Sequence, residues 1–340
     1  MKPTASRDET PWVLLSLAPL PVEVLQGLFG KLPVEVVKAE SLHSISDADA
    51  VRVELILADW RPSSPGLDAA SIARLPKLAF VQQPSVGVQS HDAEALAAAG
   101  IPLSNVAGFN AAAVMEWTVG ATLSISRMLR WTEDELRAGR WPQTEIASRG
   151  SSEIAGKSVG IVGFGPIGQG CARVFSAFGC PVTYWSRSPR PAELEHGARY
   201  EADVKALVAG SQILINAVAL APQTRGLLSA EVLGLLPPGA MVISNSRGGI
   251  VDEDAVVAML QSGALAGAAF DVYNEEPLPA TSPLRALQHD RLLLSPHAAG
   301  STIQSNVALI QGVASNVGRA VSGAPLKDVV NAVSAVVRRR

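Results

Sequence analysis

Cysteine is scarce in this chain, with two in 340 residues, Cys171 and Cys180. They have no metal-ligand spacing and no histidine cluster beside them, so a disulfide framework and a metal site are both excluded. Both read as small apolar fillers in a reducing compartment. A charge excess is also missing: 28 Lys plus Arg stand against 31 Asp plus Glu. That balance offers no basic face to nucleic acid, and the closing Arg338-Arg339-Arg340 is too short to make one. The tail reads as a frayed, solvated terminus. Uninterrupted apolar runs are lacking too. Trp12–Val22 is broken by Pro19 and Pro21, follows Asp8 and Glu9, and ends without a clean cleavage site. It reads as a first buried strand rather than a leader. Val106–Ile125 carries Asn110 and Glu116, which argues against a membrane span. The expectation is a soluble cytoplasmic protein.

What is present is ample apolar material, 48% of the residues, in a chain long enough for two domains. The first hundred residues alternate short apolar runs with helical stretches. Strands are expected at Val13–Leu17, Val34–Val37, Val53–Ala58, Leu78–Gln82 and Pro102–Ser104, and helices at Val22–Phe29, Leu67–Leu75 and Asp92–Ala99. Gly30 and Gly100 mark helix ends. Such alternation predicts parallel βαβ units. A long apolar helix is expected over Ala111–Leu129, then a polar surface loop over Gln143–Gly156. The alternation resumes at Lys157 with six strand candidates, Ser158–Val162, Val182–Trp185, Ile213–Ala217, Met241–Ser244, Ala266–Phe270 and Arg291–Leu294. Helices expected between them, Ile167–Phe178, Asp203–Val208, Ser229–Leu235 and Asp252–Gln261 with Asp252 able to cap the last, fit a doubly wound α/β fold. A last helix, Thr302–Val321, has no strand left to pair with and is expected to fold back on the first domain.

Gly163-Phe164-Gly165-Pro166-Ile167-Gly168 follows the apolar strand candidate directly and opens a helix. In that context Gly163 permits a tight turn, Gly165 lets the backbone approach a pyrophosphate, and Gly168 allows close helix–strand packing. Pro166 and Ile167 begin the helix whose N-terminus faces the phosphates. An NAD site places an acid about 20 residues further on, for the ribose hydroxyls. Here the segment reads Tyr184-Trp185-Ser186-Arg187-Ser188-Pro189-Arg190, with no carboxylate. The hydroxyls of Ser186 and Ser188 and the guanidinium groups of Arg187 and Arg190 suit a 2′-phosphate, so NADP is expected, with NAD the alternative.

Arg247, Glu276 and His297 each follow a strand candidate of the same half-sheet, so they can converge at its carboxyl edge. An Arg fork suits a substrate carboxylate and charge growing on oxygen. An imidazole oriented by a carboxylate suits proton transfer to a carbonyl oxygen. His43, His91, His196 and His289 read as structural.

These residues resemble the D-isomer-specific 2-hydroxyacid dehydrogenase family over nearly the whole chain. The resemblance rests on Gly163–Gly168, Asn245–Asp252, Asp271–Pro277 and Ser295–Thr302, with Ser85-Val86-Gly87-Val88 ahead of them. It implies a dinucleotide-binding Rossmann domain, 109–297, inserted in a discontinuous flavodoxin-like α/β substrate domain, 1–108 and 298–340. It also implies a homodimer and a small 2-oxo or 2-hydroxy acid of the glyoxylate or hydroxypyruvate type as substrate. By resemblance Arg247 binds carboxylate and carbonyl, Glu276 pairs with His297, Asp271 contacts the nicotinamide carboxamide, and the N–H groups of Val86 and Gly87 hold the carboxylate. Ser186 departs from the acid usual in NAD-using members. Glu276 argues against the formate dehydrogenase branch, where Gln is found. Trp117 and Ala107 stand where His and Pro are common. A nucleotide-sensing regulator of the corepressor kind, or a phosphite-oxidising enzyme, are alternative uses of the same fold.

Overall fold

The computed structural model describes residues 10–61 and 64–340; Asp8 and Glu9 lie outside them. The chain divides into two compact units, Met1–Phe109 with Ile303–Arg340, and Asn110–Thr302.

Unit 1 begins β1 (Trp12–Ser16), α1 (Val22–Phe29), β2 (Val34–Lys38), α2 (Asp47–Ala50) and β3 (Leu55–Leu57). It continues α3 (Ala69–Ala73), β4 (Phe80–Gln82), α4 (Ala93–Ala98) and β5 (Leu103–Ser104). All pairings are parallel, in the order β2-β1-β3-β4-β5, which is the flavodoxin-like order. The central strands are buried on both faces, so they are apolar throughout rather than alternating. Of the two glycines expected to end helices, Gly100 does so in the left-handed conformation, φ 66°, with Ile101 N–H donating back to Leu96 O. Gly30 ends α1 in the ordinary right-handed region, φ −63°.

Unit 2 carries α5 (Ala111–Ser126), α6 (Leu129–Arg137), β6 (Val159–Val162), α7 (Pro166–Ala177), β7 (Val182–Trp185), α8 (Ala192–Glu195), β8 (Arg199–Tyr200) and α9 (Val204–Ala209). Then come β9 (Ile213–Asn216), α10 (Ala230–Leu233), β10 (Ala240–Ser244), α11 (Glu253–Gln261), β11 (Leu265–Phe270), α12 (Pro283–Ala286) and β12 (Leu292–Leu294). The sheet has seven parallel strands, β12-β11-β10-β9-β6-β7-β8. The six expected strands are all present. The seventh, β8, is a two-residue edge strand whose exposed Arg199 gives no apolar signal. Strand order reverses between β6 and β9, which makes the carboxyl edge there the place for a ligand. The long helix expected to Leu129 stops at Ser126, because Met128 adopts a left-handed φ of 54° and α6 restarts beyond it. Within α5, Thr118 and Thr122 are buried because their hydroxyls donate to the carbonyls of Val114 and Thr118, at 2.7 and 2.8 Å.

The chain returns to unit 1 as α13 (Ile303–Ser322). Its Val313, Val317 and Ala320 join Leu14, Leu25, Phe29 and Phe80 in one core. Burying a side chain the size of Leu or Phe contributes roughly 1.5–3 kcal/mol. The segment after α13 covers the edge of β5: Val329 bridges Ser104, and Asn331 Oδ1 accepts from Leu103 N–H at 3.0 Å. The terminal arginines correct the expectation of a frayed tail. Arg339 pairs with the buried Glu54 at 2.6 Å and lies 4.9 Å over the Trp12 ring. Arg340 donates to Ala99 O. No helix among the described residues is long and apolar enough to cross a membrane.

Candidate active site

The glycine turn joins β6 to α7, and each glycine meets a different surrounding. Gly163 has φ 97°, and a methyl added there would lie 2.5 Å from the backbone of Val218. A methyl on Gly168 would lie 2.3 Å from Gly163 O, so that glycine is needed for packing. A methyl on Gly165 meets nothing within 4 Å. The turn is anchored by Phe164, whose buried ring stacks on Tyr184 of β7 at 3.7 Å. No side chain caps α7, and Pro166 occupies its first turn, so N–H groups there lack an intrahelical partner. Three buried oxygens at the carboxyl ends of β9 and β10 also lack a partner among the described residues: Asn216 Oδ1, Asn245 Oδ1 and Ser246 Oγ. An open glycine, an uncapped positive helix end and orphaned polar atoms along one edge fit a dinucleotide.

Past β7, Ser186 is nearly buried, and its hydroxyl donates to Ser188 O at 2.6 Å. Its oxygen can still accept. Arg187, Ser188 and Arg190 are exposed. Arg190 N–H donates to the Tyr184 hydroxyl at 2.8 Å, and that hydroxyl in turn donates to Glu195 at 2.7 Å. The guanidinium groups of Arg187 and Arg190 have no side-chain partner among the described residues.

Arg247, Asp271, Glu276 and His297 follow β10, β11 and β12, three neighbouring strands. Nδ1 of His297 lies 2.7 Å from Glu276 Oε2. The other oxygen of Glu276 accepts from Tyr273 N–H at 3.0 Å. Burial pushes the Glu276 carboxyl up. The His297 hydrogen bond, the Tyr273 N–H and the charges of His297 and Arg247 outweigh it and hold it below the usual carboxylate range. Arg247 is partly buried, which lowers its pKa against the opposing pull of Glu276 and Asp271. Its Nη1 donates to Ser246 O at 2.7 Å. Arg, carboxylate and imidazole thus share one electrostatic neighbourhood.

Asp271 is 1% exposed. Its carboxylate accepts from Ser295 Oγ at 2.6 Å, Ala298 N–H at 2.7 Å and Ala299 N–H at 2.9 Å. Burial raises its pKa, and those three donors oppose the rise. Any contact with a carboxamide would share oxygens already engaged in holding the His297 loop. Ser295 is not evident as a site residue from sequence, because its role depends on β12 lying beside β11.

In unit 1, the Ser85–Val88 turn is pinned through its carbonyls. Asn105 Nδ2 donates to Val86 O at 2.7 Å, and Ser85 Oγ to Gly87 O at 3.0 Å. The N–H groups of Val86 and Gly87 have no partner among the described residues.

Comparison with known proteins agrees with this fold. The family model for the NAD binding domain of D-isomer specific 2-hydroxyacid dehydrogenases matches residues 119–299. The chain is 31% identical to a hydroxyphenylpyruvate reductase of Plectranthus scutellarioides over 277 residues, 82% of this chain and 86% of that protein. It is 32% identical to a glyoxylate/hydroxypyruvate reductase of Arabidopsis thaliana over 264 residues, 78% and 82% of the two chains. Among solved structures it resembles an NADPH-dependent glyoxylate/hydroxypyruvate reductase of Sinorhizobium meliloti, with TM-score 0.81 and 28% identity, covering 97% of this chain and 100% of that one. The chain therefore belongs to the D-isomer-specific 2-hydroxyacid dehydrogenase family of NAD(P)-dependent oxidoreductases.

Proposed function

We propose that this protein reduces a small 2-oxo acid, of the glyoxylate or hydroxypyruvate type, to the D-2-hydroxy acid with NADPH. The observation that carries this reading is the 2.7 Å pairing of His297 with Glu276 in the electrostatic reach of Arg247. The names of the relatives in Arabidopsis thaliana and Sinorhizobium meliloti support the substrate class.

A reduced nicotinamide dinucleotide, when bound, would supply the hydride. Gly163, Gly165, Pro166, Ile167 and Gly168 are the residues proposed to hold the pyrophosphate. Ser186, Arg187 and Ser188 are proposed to take the 2′-phosphate, and Asp271 to reach the carboxamide while holding the His297 loop. Arg247 offers its fork to the carboxylate and carbonyl oxygen of the acid and stabilises negative charge growing there. Because Glu276 occupies Nδ1, Nε2 is the ring atom left to deliver a proton to that oxygen. Ionised Glu276, bonded to Nδ1, fixes the orientation of the ring. Within unit 1, the unpartnered N–H groups of Val86 and Gly87 are the proposed carboxylate donors. We also read the protein as a homodimer, since Leu129 and Leu136, two turns apart on α6, and Trp141 beyond it are exposed. Light scattering in solution tests that point.

The decisive experiment is a spectrophotometric panel of 2-oxo acids with NADPH and NADH in parallel. Turnover of glyoxylate or hydroxypyruvate with NADPH is expected. Replacing His297 by Ala should lower kcat by about 10²–10⁴-fold, and Arg247→Lys should fail to restore Arg247→Ala because the planar fork is lost. Near wild-type rates in His297→Ala would defeat the assignment. Tight NADPH binding without turnover across the panel would favour a nucleotide-sensing role instead.

A further inference from the structure

We propose that Glu253 is a positioning residue for the Glu276–His297 pair, acting through the Tyr273–Asn274 peptide. Asp252, the residue before it, already caps α11, accepting from Ala255 N–H at 3.0 Å. Glu253 is therefore free of that duty and turns to the neighbouring loop. Its Oε1 accepts from Asn274 N–H at 2.6 Å. The preceding amide, Tyr273 N–H, donates to Glu276 Oε1 at 3.0 Å. Two carboxylates thus hold two consecutive amides of one turn, and the second of them touches His297.

The same turn is fixed from other sides. Asn274 Oδ1 accepts from Gly249 N–H at 2.6 Å, which ties the loop after β11 to the loop that carries Arg247. A methyl on Gly248 would lie 1.9 Å from Tyr273 O, so the two loops are in direct backbone contact. The Tyr273 hydroxyl donates to Ser295 O at 2.8 Å, reaching the loop after β12. Within this frame the Asn274 amide has one side-chain acceptor, Glu253. Releasing it loosens the turn at Tyr273 Cα, which joins this peptide to the preceding one, and Tyr273 N–H, on that preceding peptide, then loses its aim at Glu276. A small misplacement of Glu276 removes the partner that fixes the His297 ring.

This inference rests on the reading of His297 as the proton donor, and its test separates the two. The protein with nitrogen-labelled histidine is observed by NMR, with and without NADPH, to read the hydrogen-bonded Nδ1–H of His297; glyoxylate kinetics and thermal melting are measured on the same samples. Glu253→Ala and the shorter Glu253→Asp should lose that Nδ1–H signature and drop kcat by about tenfold or more with KM unchanged. Glu253→Gln, which keeps an acceptor at the same reach, should restore both. The proposal is overturned if folded Glu253→Ala or Glu253→Asp keeps the signature, if Glu253→Gln behaves like Glu253→Ala, or if both shortened variants fail to fold. Should the wild type reduce no 2-oxo acid, the proposed function fails while the NMR comparison still decides the role of Glu253.

Discussion

His297 donates its backbone N–H to the carbonyl oxygen of Asp271 at 2.8 Å, while the Asp271 carboxylate receives the next two backbone N–H groups. One residue at the end of β11 therefore sets the path of the loop after β12, with His297 at φ 53°. Asp271→Ala leaves the Ser295 hydroxyl and two N–H groups without their acceptor, the Ala299 N–H in a buried place and the other two partly buried. We expect a loss of roughly 2–4 kcal/mol in stability and a fall in kcat larger than the change in KM for NADPH. Urea denaturation and steady-state kinetics check this; an Asp271→Ala protein as stable and active as wild type would refute it.

The glycines of the turn should separate in experiment. Gly165→Ala adds a methyl to open space, so melting should be unchanged while NADPH affinity falls by at least about tenfold, or ~1.4 kcal/mol. Gly163→Ala puts a side chain at φ 97° and 2.5 Å from Val218 backbone, and should cost ~2 kcal/mol or more of stability. Equal effects on melting from the two changes would contradict this geometry.

Cofactor choice is predicted to reside past β7. Replacing Arg187 and Arg190 together by Ala should raise KM for NADPH about ten- to hundredfold, the worth of charge-assisted hydrogen bonds. KM for NADH should change little. Parallel titrations with both cofactors read the difference, and a wild type that prefers NADH would remove the basis for this assignment.

Much of the fold, and where the candidate site residues fall in it, is legible in the amino-acid sequence. Runs such as Val159–Val162 and Ile213–Asn216 are buried on both faces, and that double burial is why their composition announces them. Asp252 is readable as a helix cap, because that interaction is local. Arg247, Glu276 and His297 are readable because a strand end in a doubly wound sheet has a fixed place. The break at Met128 is not, since nothing in its side chain demands a left-handed backbone. The contacts of Glu253, Asn274 and Ser295 are not readable for another reason: their partners are set by how neighbouring loops align, and no local pattern encodes that alignment.

His91 gives a pH test remote from the reaction. It is buried, accepts Leu67 N–H at Nδ1 at 3.0 Å, and its Nε2 lies 2.8 Å from Gln83 Oε1. That arrangement requires a neutral ring, and burial lowers its pKa from 6.5 to about 4. Between those values the unfolded chain binds a proton that the folded protein refuses. Stability from this residue is therefore intact above about pH 6.5 and is lost as pH falls toward about 4, by a total on the order of 3 kcal/mol. His91→Asn keeps an acceptor for Leu67 but cannot titrate. It should be less stable than wild type at neutral pH and show a flatter dependence across this window. Urea midpoints taken from pH 7 to pH 4 measure both slopes; identical slopes would show that His91 is not the group responsible.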